Sequence, residues 1–291
     1  MDPEFLQAAL VRAALVVLMI SLGLRVPISA IVAAARHGRA FVLTGVLSFV
    51  VVPVGAWLLV RALGLPEAVA VGVLLVAAAP GGSVGLKLVD LARGDVALGL
   101  GMFFAMALVA PISVPLTAAV LLGTTPGGLA IDALPLVVTL VAIQLVPLGI
   151  ALGVAHVAPR LARRVGDLAT TATTVLLGLL IAVALAVNVD ETLAIGARGV
   201  AAYLILVGAT LALGLVVTRD RPRVARAIAL LSAQRSTSLA LLIATSLGVP
   251  AVTGAVVAGG LLLLIVNPLV AKALGARLPD PLARPTETAA A

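Results

Sequence analysis

Three ionisable side chains stand where such groups are costly. Arg235 lies near the middle of an apolar run over 224–248, and Lys87 and Asp90 lie in another over 68–92. Ionisable groups inside membrane spans are rare and mark functional sites by default. An arginine cannot shed its proton, so Arg235 must meet an anion, a wet cavity or a pairing carboxylate, for which Asp90 is a candidate. Lys87 and Asp90 are three residues apart and share one helix face. They read either as a self-neutralising pair, with Lys87 reaching toward the headgroups, or as part of the site.

Helix-breaking and polar residues gather around these charges. Pro80-Gly81-Gly82 precedes Ser83, and Ser232-Ala233-Gln234-Arg235-Ser236-Thr237-Ser238 interrupts the later run. Unwound backbone at membrane depth survives only when buried in protein or lining a polar cavity, and transporters use the free helix ends to hold substrates. Lys87 and Arg235 beside these free ends, with the polar groups of Gln234, Ser236 and Thr237 in the later run, mark a candidate binding site. Gln144 and Asn267 read as hydrogen-bonding glue between helices or as cavity lining, and Asn267 is kept as a candidate substrate contact. Pro53, Pro111, Pro147 and Pro268 are expected to make ordinary kinks.

Enzyme chemistry finds little support. Gly81–Gly85 fits G-x-S-x-G, but a nucleophilic serine needs a base, and His37 and His156, the two histidines, sit near a loop and a helix end. There is no cysteine, which excludes thiol catalysis and disulfides. Ala92-Arg93-Gly94-Asp95 lacks the earlier glycine of an intramembrane aspartyl protease. No catalytic residue, metal site or cofactor is expected.

The elements that must position these residues are membrane spans. Of 291 residues, 63% are hydrophobic and 11% charged, against about a quarter charged in a soluble domain. The apolar surface that water cannot cover must face lipid. At about 20 residues per crossing, the spans fall at 6–24, 40–62, 68–92, 96–122, 133–157, 167–188, 199–217, 224–248 and 251–273. This is an all-α polytopic membrane protein of about nine helices. Residues 26–39 read as an interfacial helix, 274–291 as a disordered tail, and Met1–Phe5 as a possible expression remnant with no cleavable signal peptide. The net charge of +7 lies in arginine clusters between spans, a membrane-loop pattern rather than a nucleic-acid one. Arg25/Arg36/Arg39, Arg93, Arg160/Arg163/Arg164 and Arg219/Arg221/Arg223 follow alternate spans, and Lys272, Arg277 and Arg284 close the chain. Positive-inside sorting puts the N-terminus outside the cell (inner) membrane and the C-terminus in the cytoplasm.

With these residues in place, the chain resembles the bile acid:sodium symporter family. Leu22–Pro27 with the interfacial helix resembles its first conserved stretch, and Val69–Leu98 its Pro-Gly-Gly hallmark, while Ser232–Ala240 lines up with its late Gln-containing stretch. The resemblance implies inverted repeats of five helices, the first helix missing here, and two broken helices that cross in a core domain (40–122 and 199–273) beside a panel domain (6–24, 133–157, 167–188), all within one transporter domain, 1–273. It also implies two sodium sites whose side-chain ligands are mostly absent. Gly85 and Leu86 stand for Ser-Asn, Gly99 and Phe103 for Ser and Thr, Leu230 for the shared Glu, and Ser48 for a Gln. Gln234 is retained, whereas Arg235 replaces an Asn and Lys87 a neutral residue. Ser83 matches the family's hydroxyl position at the substrate site, and the exchange of ligands for fixed charge implies that Arg235 and Lys87, with the helix N-terminal ends and Ser236 and Thr237, hold a carboxylate.

The reading is a secondary transporter of small organic anions by alternating access, sodium-independent, as a uniporter, exchanger or proton-linked carrier through Lys87 or Asp90. Lipid and the anion are its expected partners; neither sodium nor nucleic acid is, and the oligomeric state stays open. The alternatives are a sodium-coupled symporter like its relatives, and a non-transporting receptor.

Overall fold

The computed structural model describes residues 3–26, 29–123 and 131–276, and among them the chain is helical with no strand. In chain order the helices are α1 (Pro3–Arg25), α2 (Ser29–Ala35), α3 (Gly38–Val46), α4 (Val52–Ala62), α5 (Glu67–Ala78), α6 (Gly85–Leu91), α7 (Val96–Leu122), α8 (Ala133–Leu140) and α9 (Val146–Val157). They continue as α10 (Pro159–Val187), α11 (Val189–Leu193), α12 (Gly196–Val217), α13 (Pro222–Ala233), α14 (Thr237–Ser246) and α15 (Pro250–Ala276).

Seven uninterrupted apolar stretches among the described residues are long enough to cross a bilayer, with α3–α4 and α8–α9 each counted as one. The apolar runs over 68–92 and 224–248 are instead broken into α5/α6 and α13/α14. At 1.5 Å per residue, the 12 residues of α5 or α13 cover about 18 Å, short of the ~30 Å hydrocarbon. Each half therefore depends on protein around it. Every residue from Val69 to Pro80 and from Val224 to Ser236 is buried. By contrast Leu134, Val138, Ile150, Leu168 and Val175 on α8–α10 are strongly exposed, as a lipid-facing surface requires.

Packing depends on small residues where helices touch, as in membrane interiors generally. A Cβ on Gly23 would lie 2.7 Å from that of Ala151, and Gly72, Gly214 and Gly259 press as closely on Ala255, Ala229 and the Tyr203 ring. Helix α1 packs on α9 and α10, while α5, α12, α13 and α15 pack together; α1 also meets α14. Contacts across the fold sort the chain into two ends. At the arginine-rich end, Asp95 N–H donates to Arg223 O at 3.0 Å, Arg226 Nη1 to Ala92 O at 2.7 Å, and Arg25 pairs with Asp167 at 3.1 Å. At the opposite end Arg198 Nη1 reaches Gly64 O at 3.4 Å.

Several boundaries differ from the sequence expectation. Helix α10 begins at Pro159 rather than 167, because a helix continues past the hydrocarbon edge whereas an apolar window stops at Arg163/Arg164. The interfacial helix is only Ser29–Ala35, with Arg39 already in α3. Pro53 and Pro147 do more than kink: single π turns, Leu47–Val51 and Val141–Leu145, precede them. A proline has no N–H and crowds the preceding turn, and a widened turn is one way to absorb it. Helix α15 reaches Ala276, so 277–291 of the expected tail lie outside the described residues, as do Met1 and Asp2 of the expected remnant and Pro27 and Ile28 of the interfacial stretch.

Candidate functional site

The two breaks meet. Pro80 cannot extend α5 and disfavours helical backbone in the residue before it; Ala79 accordingly has φ −102° and ψ 84°. Helix α13 stops at Ala233, and Gln234 is extended at φ −81° and ψ 110°. The two extended strips lie antiparallel at Pro80 and Arg235. Ser236 N–H donates to Ala79 O at 2.8 Å and Gly82 N–H to Gln234 O at 3.3 Å. Glycine suits the crossing: Gly81 has φ 82°, and a Cβ on Gly82 would stand 2.5 Å from Arg235 O and 2.8 Å from the Gln234 amide nitrogen.

Arg235 is 2% exposed, and its guanidinium faces backbone rather than a carboxylate. Nε donates to Val76 O at 3.3 Å, Nη1 to Ser232 O at 3.3 Å, and Nη2 to Ser48 O at 3.1 Å and to Ala77 O. Each of these carbonyls is available for a local reason. Val76, Ala77 and Ser232 are in last helical turns, whose carbonyls have no full complement of helical donors. In the π turn, Val52 N–H bonds back to Leu47 O, and the next residue, Pro53, has no N–H for Ser48 O. The fork of five N–H donors thus ties the C-terminal ends of α5 and α13 to the turn between α3 and α4. The Ser48 and Ser232 hydroxyls, 3.1 Å apart, bond alongside.

On the other side of the crossing a cavity of about 90 Å³ is lined by Ser83, Gln234, Arg235, Ser236, Thr237 and Ser238, with apolar walls from Leu180 and Ile181 of α10 and Leu261 of α15. Helix α14 opens into it without a side-chain cap at Ser236. Its first helical bond runs from Ala240 N–H to Ser236 O at 3.0 Å, so the amides of Thr237, Ser238 and Leu239 precede the ladder and are free to meet an anion.

The expected site residues are thus only partly brought together. Ser83, Gln234, Arg235, Ser236 and Thr237 share this cavity. Lys87 is exposed and lines a wider crevice of about 490 Å³ with Ser83, Arg25, Thr170 and Thr174, open between α1, α6 and α10. Asp90 is exposed, and no ion pair joins it to Arg235 among the described residues. Asn267 is fully buried behind the crossing, donating from Nδ2 to Gln234 Oε1 at 2.8 Å, while its Oδ1 lacks a partner. Gln144 is buried on its π turn with Nε2 unpartnered. Sequence reasoning passed over the Ser48 carbonyl, although a proline five residues on is its signal. It also passed over Arg226, buried near the start of α13 and bonded to Ala92 O, because the neighbouring arginines read as a loop cluster.

The family model described as the sodium bile acid symporter family matches residues 12–195. That stretch holds the first broken element and ends before the second. No curated protein matches the chain in sequence.

Proposed function

The chain belongs to the sodium bile acid symporter family and is a multi-pass membrane transporter; on that premise we propose that it carries small organic anions without sodium, Arg235 supplying the positive charge at the crossing. The observation that carries this reading is the cage of Ser48, Val76, Ala77 and Ser232 carbonyls around the guanidinium. Oxygens arranged in this way are what a hard cation takes, and here a covalently attached cation holds them. A sodium ion about 4 Å from that charge would meet ~4 kcal/mol of repulsion at an effective dielectric of 20. The loss of side-chain ligands at Gly85, Leu86, Gly99 and Leu230 points the same way.

The substrate anion binds in the 90 Å³ cavity, a volume that suits a short carboxylate. Its partners are the free amides at the start of α14, the hydroxyls of Ser83, Ser236 and Thr237, and the Gln234 amide, with Arg235 as a charge held behind them. Lys87 gathers anions at the crevice mouth. Positive-inside sorting makes the arginine-rich end cytoplasmic, with the N-terminus outside. Nine crossings, counting each broken pair once, then form inverted repeats, and the α1–α9–α10 panel rocks against the core to give alternating access.

Counterflow in proteoliposomes tests this. Protein loaded with an unlabelled short carboxylate should accumulate the labelled one with choline as the sole monovalent cation, and an imposed pH gradient distinguishes exchange from proton coupling. Uptake that appears only when sodium is added overturns the proposal.

A further inference from the structure

A second concave site lies away from the crossing, where α1, α9 and α10 converge at the arginine-rich end. It encloses about 360 Å³, lined by Arg25, His156 and Arg163 around apolar Leu24, Leu152 and Ala155. Among the described residues no acidic side chain lines it, nor the adjoining patch formed by Arg160, Leu161, Arg163 and Arg164. Arg25 is already paired with Asp167 at 3.1 Å and bonded to Thr170 at 2.8 Å. Among the described residues Arg160, Arg163 and Arg164 form no ion pair, so the groove keeps an uncompensated positive charge.

We infer that this groove binds the phosphodiester headgroup of an anionic phospholipid. Basic pockets between helices at a membrane surface suit such headgroups. What selects a lipid over a soluble anion is the surface beside the charges. Val157, Leu161 and Leu168, on the same two helices, are 83%, 53% and 70% exposed, giving two acyl chains apolar surface on the helices that carry the charges. The chain also has one Trp and one Tyr, so it lacks the aromatic belt that commonly fixes helices at the interface. Arginine–phosphate bonds, which are charge-assisted and geometrically specific, would hold the panel at its depth instead. The inference needs the arginine-rich end at a membrane surface but does not depend on the substrate or its coupling.

Native mass spectrometry of the detergent-purified full chain, titrated with phosphatidylglycerol or phosphatidylcholine, tests it. One phosphatidylglycerol should be retained in preference to phosphatidylcholine. Arg163→Gln should weaken it about five-fold, the effect of one arginine at a charged membrane surface. Arg39→Gln, the same charge change elsewhere on that end, should leave it unaltered, and millimolar inorganic phosphate should not displace the lipid. Equal loss in the two variants would show a diffuse charge effect and overturn the site. Equal retention of phosphatidylcholine, or displacement by phosphate, would overturn the headgroup assignment.

Discussion

Arg235→Ala removes a guanidinium that joins three elements at the crossing. Val76 O keeps a second donor in Ala79 N–H at 3.2 Å, but Ser48, Ala77 and Ser232 carbonyls have Arg235 as their donor. A buried group left unsatisfied costs about 1–3 kcal/mol, so three cost roughly 3–9 kcal/mol, reduced by water entering and by no longer burying a charge. The lower end, about 3 kcal/mol, is the expected loss. The vacated cage is still made of carbonyl oxygens, so an external cation should partly refill it. If guanidinium binds there with Kd about 10 mM, 100 mM restores ~1.4 kcal/mol by mass action. The assay is thermal unfolding of the purified protein in choline, sodium or guanidinium chloride at matched ionic strength, alongside uptake in proteoliposomes. Wild type should gain no stability from any of these cations, whereas Arg235→Ala should unfold earlier and recover with guanidinium. A variant as stable as wild type in choline, or a wild type stabilised by sodium, would refute the reasoning.

Other changes probe neighbouring contacts. Gly82→Ala places a methyl 2.5 Å from Arg235 O; the strips must separate, at a cost of about 1–3 kcal/mol, and uptake should fall with a lowered unfolding temperature. Thr237→Val keeps shape but removes a hydroxyl from the cavity, so substrate affinity should fall about five- to ten-fold, corresponding to roughly 1–1.4 kcal/mol for one hydrogen bond, with unfolding temperature unchanged. Lys87→Gln at the crevice mouth should raise KM and flatten the salt dependence of uptake while leaving the maximal rate, since an exposed charge steers encounter more than it binds.

The breaks were legible because proline, paired glycines and a run of polar residues are conspicuous against valine and leucine. Their meeting was legible only through the family resemblance, since nothing local says that Pro80 will lie beside Arg235. The sequence offered Arg235 an anion, a wet cavity or a carboxylate, and its guanidinium is held by none of these. Its actual partners are main-chain oxygens, one of them 187 residues away and released by Pro53, and composition carries no mark of a free carbonyl. Lys87 shows the converse limit. Lys87 and Asp90 lie on one short helix, but which way that helix turns depends on α13 and α7 packed against it. The result leaves both side chains exposed, apart from the cavity that Ser83 shares with Arg235.

In the proposed function a fixed guanidinium stands in for a transported cation. Radioactive sodium and a labelled short carboxylate, followed together in proteoliposomes containing the purified protein, decide whether it does. Carboxylate should enter with no accompanying sodium influx, at the same rate when choline replaces sodium. Sodium entering in fixed proportion to the carboxylate would contradict it.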